Sequence, residues 1–444
     1  MSIEPNSEKE KNLKESDKNS SNLNKNEFEQ NKEKCNISEF KEDKSGNDKK
    51  ISKDNFIIGT IEIQEPHSIK RIINSYGNLK REAPNWYWNL INGIENEEQI
   101  KQSEIFINDK KINFSYYYDF SYIGNFTIKY NFKNILTSTR FMFFDCDLNS
   151  LDFSNFNSQN INDMIFMFYK CNSLASLDLS HFNTQNVTSL EYLFFDCSSL
   201  TSLDLSSFDT QNIINMGNIF VNCRSLRALD LSNFRTQNVK KMKQMFYECI
   251  SLEYLNISNF NTEKVDDMNH MFYNCRSLKS LDLLNFNTQK VINMSNMFSG
   301  CNSLISLDLS NFNTQKVIDM SNMFENCNSL LSLDLSSFNT QNVKNMKNMF
   351  SYCSNLTSIN LSNINTQNVI EMNGMFGNCQ SLISLDLSSF NTQSVKYMVH
   401  MFYNCNSLIS LDLSNFDTGK IIDARNIFFN CNSMVNKNFN KFFS

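Results

Sequence analysis

Twelve cysteines set the frame of this chain. They stand at 146, 171, 197, 223, 249, 275, 301, 327, 353, 379, 405 and 431, the first interval being 25 residues and every later one 26. A fixed period of this size marks a repeat architecture, in which each unit is one structural turn stacked on the next. The unit from Cys301 to Asn326 shows the pattern. Leu304-Ile-Ser-Leu307-Asp-Leu309-Ser alternates so that Leu307 and Leu309 share one face and Ser306, Asp308 and Ser310 the other, as in a short β-strand. Phe312 follows at a bend, and Asn313-Thr314 are residue types that cap helix N-termini. Val317, Met320, Met323 and Phe324 then recur at i, i+3, i+6 and i+7, which predicts an α-helix of about ten residues with Cys327 extending its apolar stripe. The end units are atypical. Thr139 and Ala424 replace the usual methionine, as expected of capping repeats.

A unit of this kind cannot bury its leucine and methionine faces alone. Parallel strands stack at about 4.8 Å and helices at about 8–10 Å, so strands on one side and helices on the other would bend the array, strands concave and helices convex. The expected fold is an α/β solenoid of about eleven parallel strands with convex helices. Four segments are expected: a disordered polar tail over 1–54, a small β-rich domain over 55–134, the repeats over 135–435, and a C-terminal tail over 436–444. The tail holds 12 Lys against 13 Asp and Glu with few apolar residues, so it cannot bury enough surface to offset chain entropy. In the second segment Ile57–Ile63 alternates like a strand. Glu104–Tyr116 reads as a hairpin turning at Asn108-Asp109, and Phe120–Phe132 as a turn and strand bending at Gly124. Trp86 and Trp88 lie here, as core residues or as an aromatic contact surface.

The repeated Ser-Leu-x-Ser-Leu-Asp-Leu-Ser-x-Phe-Asn-Thr-x-x-Val-x-x-Met-x-x-Met-Phe-x-x-Cys resembles the BspA-like leucine-rich repeats. It is most similar to the Phe-Asn-Thr/Met-Phe-x-x-Cys variety found in Mycoplasma surface lipoproteins and some microbial eukaryotes. The resemblance covers residues 135 to 435 and implies a leucine-rich-repeat horseshoe, a role in adhesion or protein binding, and no catalytic residues.

Function classes narrow from the residues themselves. The net charge of −6 is too mild to argue for nucleic acid, and no run of 18 apolar residues would span a membrane. The N-terminus lacks the apolar core of a secretory signal, so a cytoplasmic location is expected, with the cell surface as the alternative. The cysteines are never paired within two to four residues, as zinc ligands are, and read as small buried hydrophobes rather than metal ligands or disulfides. His67, His181, His270 and His400 lie in distant segments, and there is no phosphate loop or nucleophile elbow, so no enzyme, metal or cofactor is expected.

What remains for function is the outward face of the strands. Asp152, Asp178, Asp204, Asp230, Asp282, Asp308, Asp334, Asp386 and Asp412 occupy one column, with Asn256 and Asn360 in the other two turns and serine columns on either side. Neighbouring carboxylates at strand spacing repel by about 1 kcal/mol each in a water-like dielectric. Serine hydrogen bonds with solvent screening, a basic partner segment, or bound cations would each offset this. Tyr254 and Leu284 interrupt the serine columns in adjacent strands and are the expected hot spot. A basic cluster from Arg224 to Lys243 falls on turns, either as a solvated face or an anion contact. The expected function is a non-enzymatic protein-interaction scaffold using this face. The alternatives are a surface adhesin and a regulatory protein whose activity lies in the N-terminal β domain.

Overall fold

The computed structural model describes residues 55–82 and 95–431. The expectations for the polar tail, for Trp86 and Trp88, and for residues 436–444 lie outside the described residues. Alternation in Phe56–Ile63 does form a strand, β1, burying every second side chain. β2 (Ser68–Arg71) and two short helices, α1 (Tyr76–Glu82) and α2 (Glu97–Lys101), follow. β3 (Glu104–Ile107) and β4 (Lys110–Ile112) make the expected hairpin, with Asn108 and Asp109 both left-handed at φ 46° and 62°, as a two-residue turn requires. β5 (Tyr117–Phe120) pairs with β2, and β6 (Gly124–Asn131) opens on Gly124 at φ 145°.

These strands do not close on themselves. β1 pairs antiparallel with β6 on one side and with the first repeat strand, β7 (Ser150–Asp152), on the other. The sheet runs β4-β3-β6-β1-β7-β8, where β8 (Ser176–Asp178) continues the parallel stack. β1 thus covers the backbone edge that the first repeat strand would otherwise leave open. One apolar core runs from Ile57 to Phe428.

Further along, β9 (Ala228–Asp230) pairs in parallel with β10 (Tyr254–Asn256), β11 (Ser332–Asp334) with β12 (Ser358–Asn360), and β13 (Ser384–Leu385) with β14 (Ser410–Leu411). The equivalent stretches at 202–204, 280–282 and 306–308 are not paired as strands. The expected column of eleven parallel strands is therefore a broken series of short parallel pairs.

The expected convex helices do not form; among the described residues of the repeats there is no helix. The stripe Val317, Met320, Met323 and Phe324 is buried as foreseen, but on a chain of turns. Asn322 and Asn326 stand in the left-handed region at φ 56° and 59°, and each complete unit has two such residues four apart. A left-handed residue breaks a right-handed helix, and asparagine and glycine are the types that tolerate it. The backbone bonds run across turns instead. The N–H groups of Met320, Asn322, Phe324 and Asn326 donate to the carbonyls of Asn345, Lys347, Met349 and Ser351 at 2.8–3.1 Å. Met323 and Cys327 close local turns onto Met320 and Phe324. Single parallel bridges join Asn215, Lys241, Asp267 and onward to Asp423.

Side chains staple the same interface. Thr340, 1% exposed, donates its hydroxyl to Asn365 O at 2.8 Å and accepts Asn365 N–H at 2.8 Å. The threonine column is thus an inter-turn clasp and not a helix cap. Each buried cysteine from Cys171 to Cys405 donates its S–H to the carbonyl of a phenylalanine in the preceding turn, as Cys301 does to Phe272 at 3.2 Å. Phenylalanine rings stack along the array, at 5.4–5.7 Å from Phe168 to Phe428 on the turn side. Beside the strands the Phe260–Phe338 and Phe390–Phe416 rings are 6.3–6.5 Å apart. Without helices nothing widens the turn side, so the expected cause of a concave strand face is absent.

Candidate functional site

The strand face is built by alternation. In each unit the two leucines turn into the core and Ser, Asp and Ser turn out. Asp178, Asp204, Asp230, Asp282, Asp308, Asp334, Asp386 and Asp412 are all exposed in one column. Each has a local job as well. Its Oδ1 accepts the backbone N–H two residues on, at 2.8–3.1 Å, from Ser180, Ser206, Ser232, Leu284, Ser310, Ser336, Ser388 and Ser414 respectively. Asn256 and Asn360 make the same bond at 3.3 and 3.2 Å. This turn ends the strand, which is why only Asp or Asn occurs there. The Ser336 N–H, then its hydroxyl and the Asn360 amide, hold the Asp334 carboxyl below the usual carboxylate range; the Ser388 N–H does the same for Asp386. The column is therefore a row of fixed, charged, outward carboxylates.

The expected hot-spot pair is divided. Leu284 is 55% exposed, whereas Tyr254 is half-buried beside Asp230, and burial pushes its phenol up. They stand in different columns of neighbouring turns. A more extensive apolar feature went unread in the sequence. Ile305, Leu331, Ile383 and Ile409 are 50–55% exposed in one column beside the serines. Its sequence signal is an aliphatic residue directly after the first leucine of the strand, where alternation demands an outward side chain. The matching positions in earlier turns are Arg227, Glu253 and Lys279, also exposed.

Two members of the basic cluster are paired locally: Arg224 reaches Glu248 at 3.6 Å and Lys241 reaches Asp266 at 2.7 Å. On the turn side a shallow hollow of about 510 Å³ is lined by Glu325, Tyr352, Gly374, His400, Tyr403 and Phe429 among others. Around it the amides bond one another, Asn404 to Asn378 at 2.8 Å, and Asn426 to His400 at 3.2 Å. Among the described residues no three His, Cys, Asp or Glu side chains gather as metal ligands, and no helix is long and apolar enough to cross a membrane.

A leucine-rich repeat protein from Eubacterium ventriosum is similar over 64% of this chain and 90% of its own, at 14% identity and a TM-score of 0.26. No curated protein matches. The family described as "Mycoplasma protein of unknown function, DUF285" matches three times, over 137–254, 248–358 and 331–442, together more than half of the chain. The chain is a tandem-repeat member of the DUF285 family.

Proposed function

We propose that this protein is a non-enzymatic interaction scaffold that binds a protein partner on the strand face of its repeats, as a member of the BspA-like variety of leucine-rich repeats. The observation that carries this reading is the contrast between the two sides of the unit. Thr, Cys, Met and Phe are consumed in holding turns together, while the strand face spends one carboxylate oxygen per turn locally and leaves charge, serine hydroxyls and aliphatic side chains outward. A rigid periodic surface of this kind suits extended protein contacts more than a small ligand, for which a concave, largely enclosed site is the rule. The pairing of β1 with β7 supports a capping role for the β1–β6 strands over an activity of their own.

The test is affinity capture with the intact chain against one carrying Asp308→Asn, Asp334→Asn and Asp386→Asn. Asparagine keeps the turn bond, as Asn360 does, and removes the charge. Partner recovery should fall several-fold; unchanged recovery would count against the acidic column. Protease treatment of intact cells separates display at the surface, as the resemblance implies, from retention inside.

A further inference from the structure

The last six turns carry complementary chemistry on two different faces. On the strand face the exposed aliphatic column Ile305, Leu331, Ile383 and Ile409 runs beside Asp308, Asp334, Asp386 and Asp412. No lysine or arginine among the described residues lies within ion-pair distance of Asp308, Asp334 or Asp386. The second face follows the threonine clasp. There Ile292, Ile318, Ile370 and Ile422 are 39–67% exposed. Lys290, Lys316, Lys344, Lys396 and Lys420 are exposed among them, and none forms an ion pair within the described residues. This face is held firmly: Ile318, Lys344, Ile370 and Lys396 each donate a backbone N–H to the residue one turn back at 2.9 Å.

We propose that the strand face receives a second copy of this chain, docked side by side through its Lys/Ile face. The proposal rests on the strand face being a protein-binding surface and names the partner. Charge complementarity is one argument: the strand face carries Asp308, Asp334, Asp386 and Asp412 beside its aliphatic residues, and the other face carries Lys290, Lys316, Lys344, Lys396 and Lys420 among its isoleucines, with Lys344 and Lys396 in the same column as Ile318 and Ile370. Periodicity is the other. Both faces advance one step per turn of the same solenoid, so their turn spacings match, although Thr357 and Asn360 interrupt the strand face and isoleucine and lysine are mixed in one column of the other. An unrelated partner would have to match that period independently. The two faces differ, so the contact is heterologous, and a pair still offers one unused face of each kind, one on each copy; association therefore continues beyond a dimer unless it closes into a ring. The strand face offers five turns at the 6.3–6.5 Å ring spacing beside the strands, a short strip whose exposed charge pairs contribute little each, so the association is weak and concentration-dependent.

The test is sedimentation equilibrium of the full chain from about 1 to about 100 µM, at low salt and at 1 M salt, where screening shortens to about 3 Å. One variant makes the strand face basic without losing its turn bonds: Ser332→Lys, Asp334→Asn, Ser384→Lys and Asp386→Asn. A second makes the other face acidic: Lys344→Glu and Lys396→Glu. The wild type should associate at the higher concentrations and do so less in 1 M salt. Each variant alone, with an unchanged melting curve, should sediment as a monomer, and their equimolar mixture should associate again. Should the first variant fail to fold, Leu331→Ser and Ile318→Ser, on opposite faces, should each weaken self-association. A wild type that stays monomeric throughout overturns the proposal, as does a mixture of folded variants that stays monomeric, or association that neither variant disturbs. A monomeric wild type that still captures a different protein on its strand face overturns this inference and leaves the proposed function standing.

Discussion

Exchanging one asparagine for glycine or alanine separates turns from helices by the sign of its effect. Asn322 stands at φ 56°, with its N–H bonded to Lys347 O at 2.8 Å in the next turn. Two turns on, the same column holds Gly374 at φ 60°. An alanine forced into this region costs about 1–2 kcal/mol. Glycine enters it freely but loses about 0.5–1 kcal/mol more chain entropy. Asn322→Gly should therefore exceed Asn322→Ala in stability by about 0.5–1 kcal/mol. In a helix the order reverses, alanine exceeding glycine by about 1 kcal/mol. Urea denaturation of the full chain gives the difference, and hydrogen exchange over 316–330 localises it, since repeat arrays open in parts. An alanine variant as stable as the glycine variant would refute the left-handed turn and restore the helix.

Three further outcomes follow from the packing. Thr340→Val strands the N–H and C=O of Asn365, whose loss costs about 1–3 kcal/mol per unsatisfied group, whereas Thr357→Val removes one exposed bond to Leu331 O and should stay within about 0.5 kcal/mol; denaturation midpoints compare the two. Burial pushes the Cys249, Cys301 and Cys353 thiols up to about 12, so they should resist alkylation at pH 8 in the native state and react fully in denaturant, counted by mass spectrometry. Arg81, with Lys101 and Tyr116, holds Glu97 at about 2 against an ordinary 4.5. Because the folded value is the lower one, its contribution is complete above about pH 4.5 and drains away as pH falls towards 2. Melting temperatures between pH 5 and 2 should fall less steeply in Glu97→Gln.

The period, the buried columns and the outward Asp column could all be read from the sequence, because burial obeys alternation whichever backbone carries it. The helix could not be distinguished from turns by the same means. Val317, Met320, Met323 and Phe324 have helical spacing, yet Asn322 and Asn326, four apart, are the types that favour left-handed turns, and that signal outweighs the stripe. Thr314 looks alike as a cap and as a clasp; only its donation to Asn339 O at 2.9 Å tells which. The pairing of β1 with β7 was invisible because a strand's alternation does not name its neighbour. At the site, Ile305, Leu331, Ile383 and Ile409 break no pattern and differ from their neighbours only in being apolar and outward, so alternation alone does not single them out.

Site-specific photo-crosslinking tests the division of labour between the two sides of the unit most directly. A benzophenone side chain is placed at Ser332 on the strand face, and in a separate protein at Tyr352, which is 50% exposed on the turn side. After irradiation under native conditions, Ser332 should yield a discrete protein adduct, diminished when Leu331→Ser and Asp334→Asn are added, and Tyr352 should yield none. Equal adducts at both positions, or an adduct at Tyr352 alone, would contradict a binding face built on the strands.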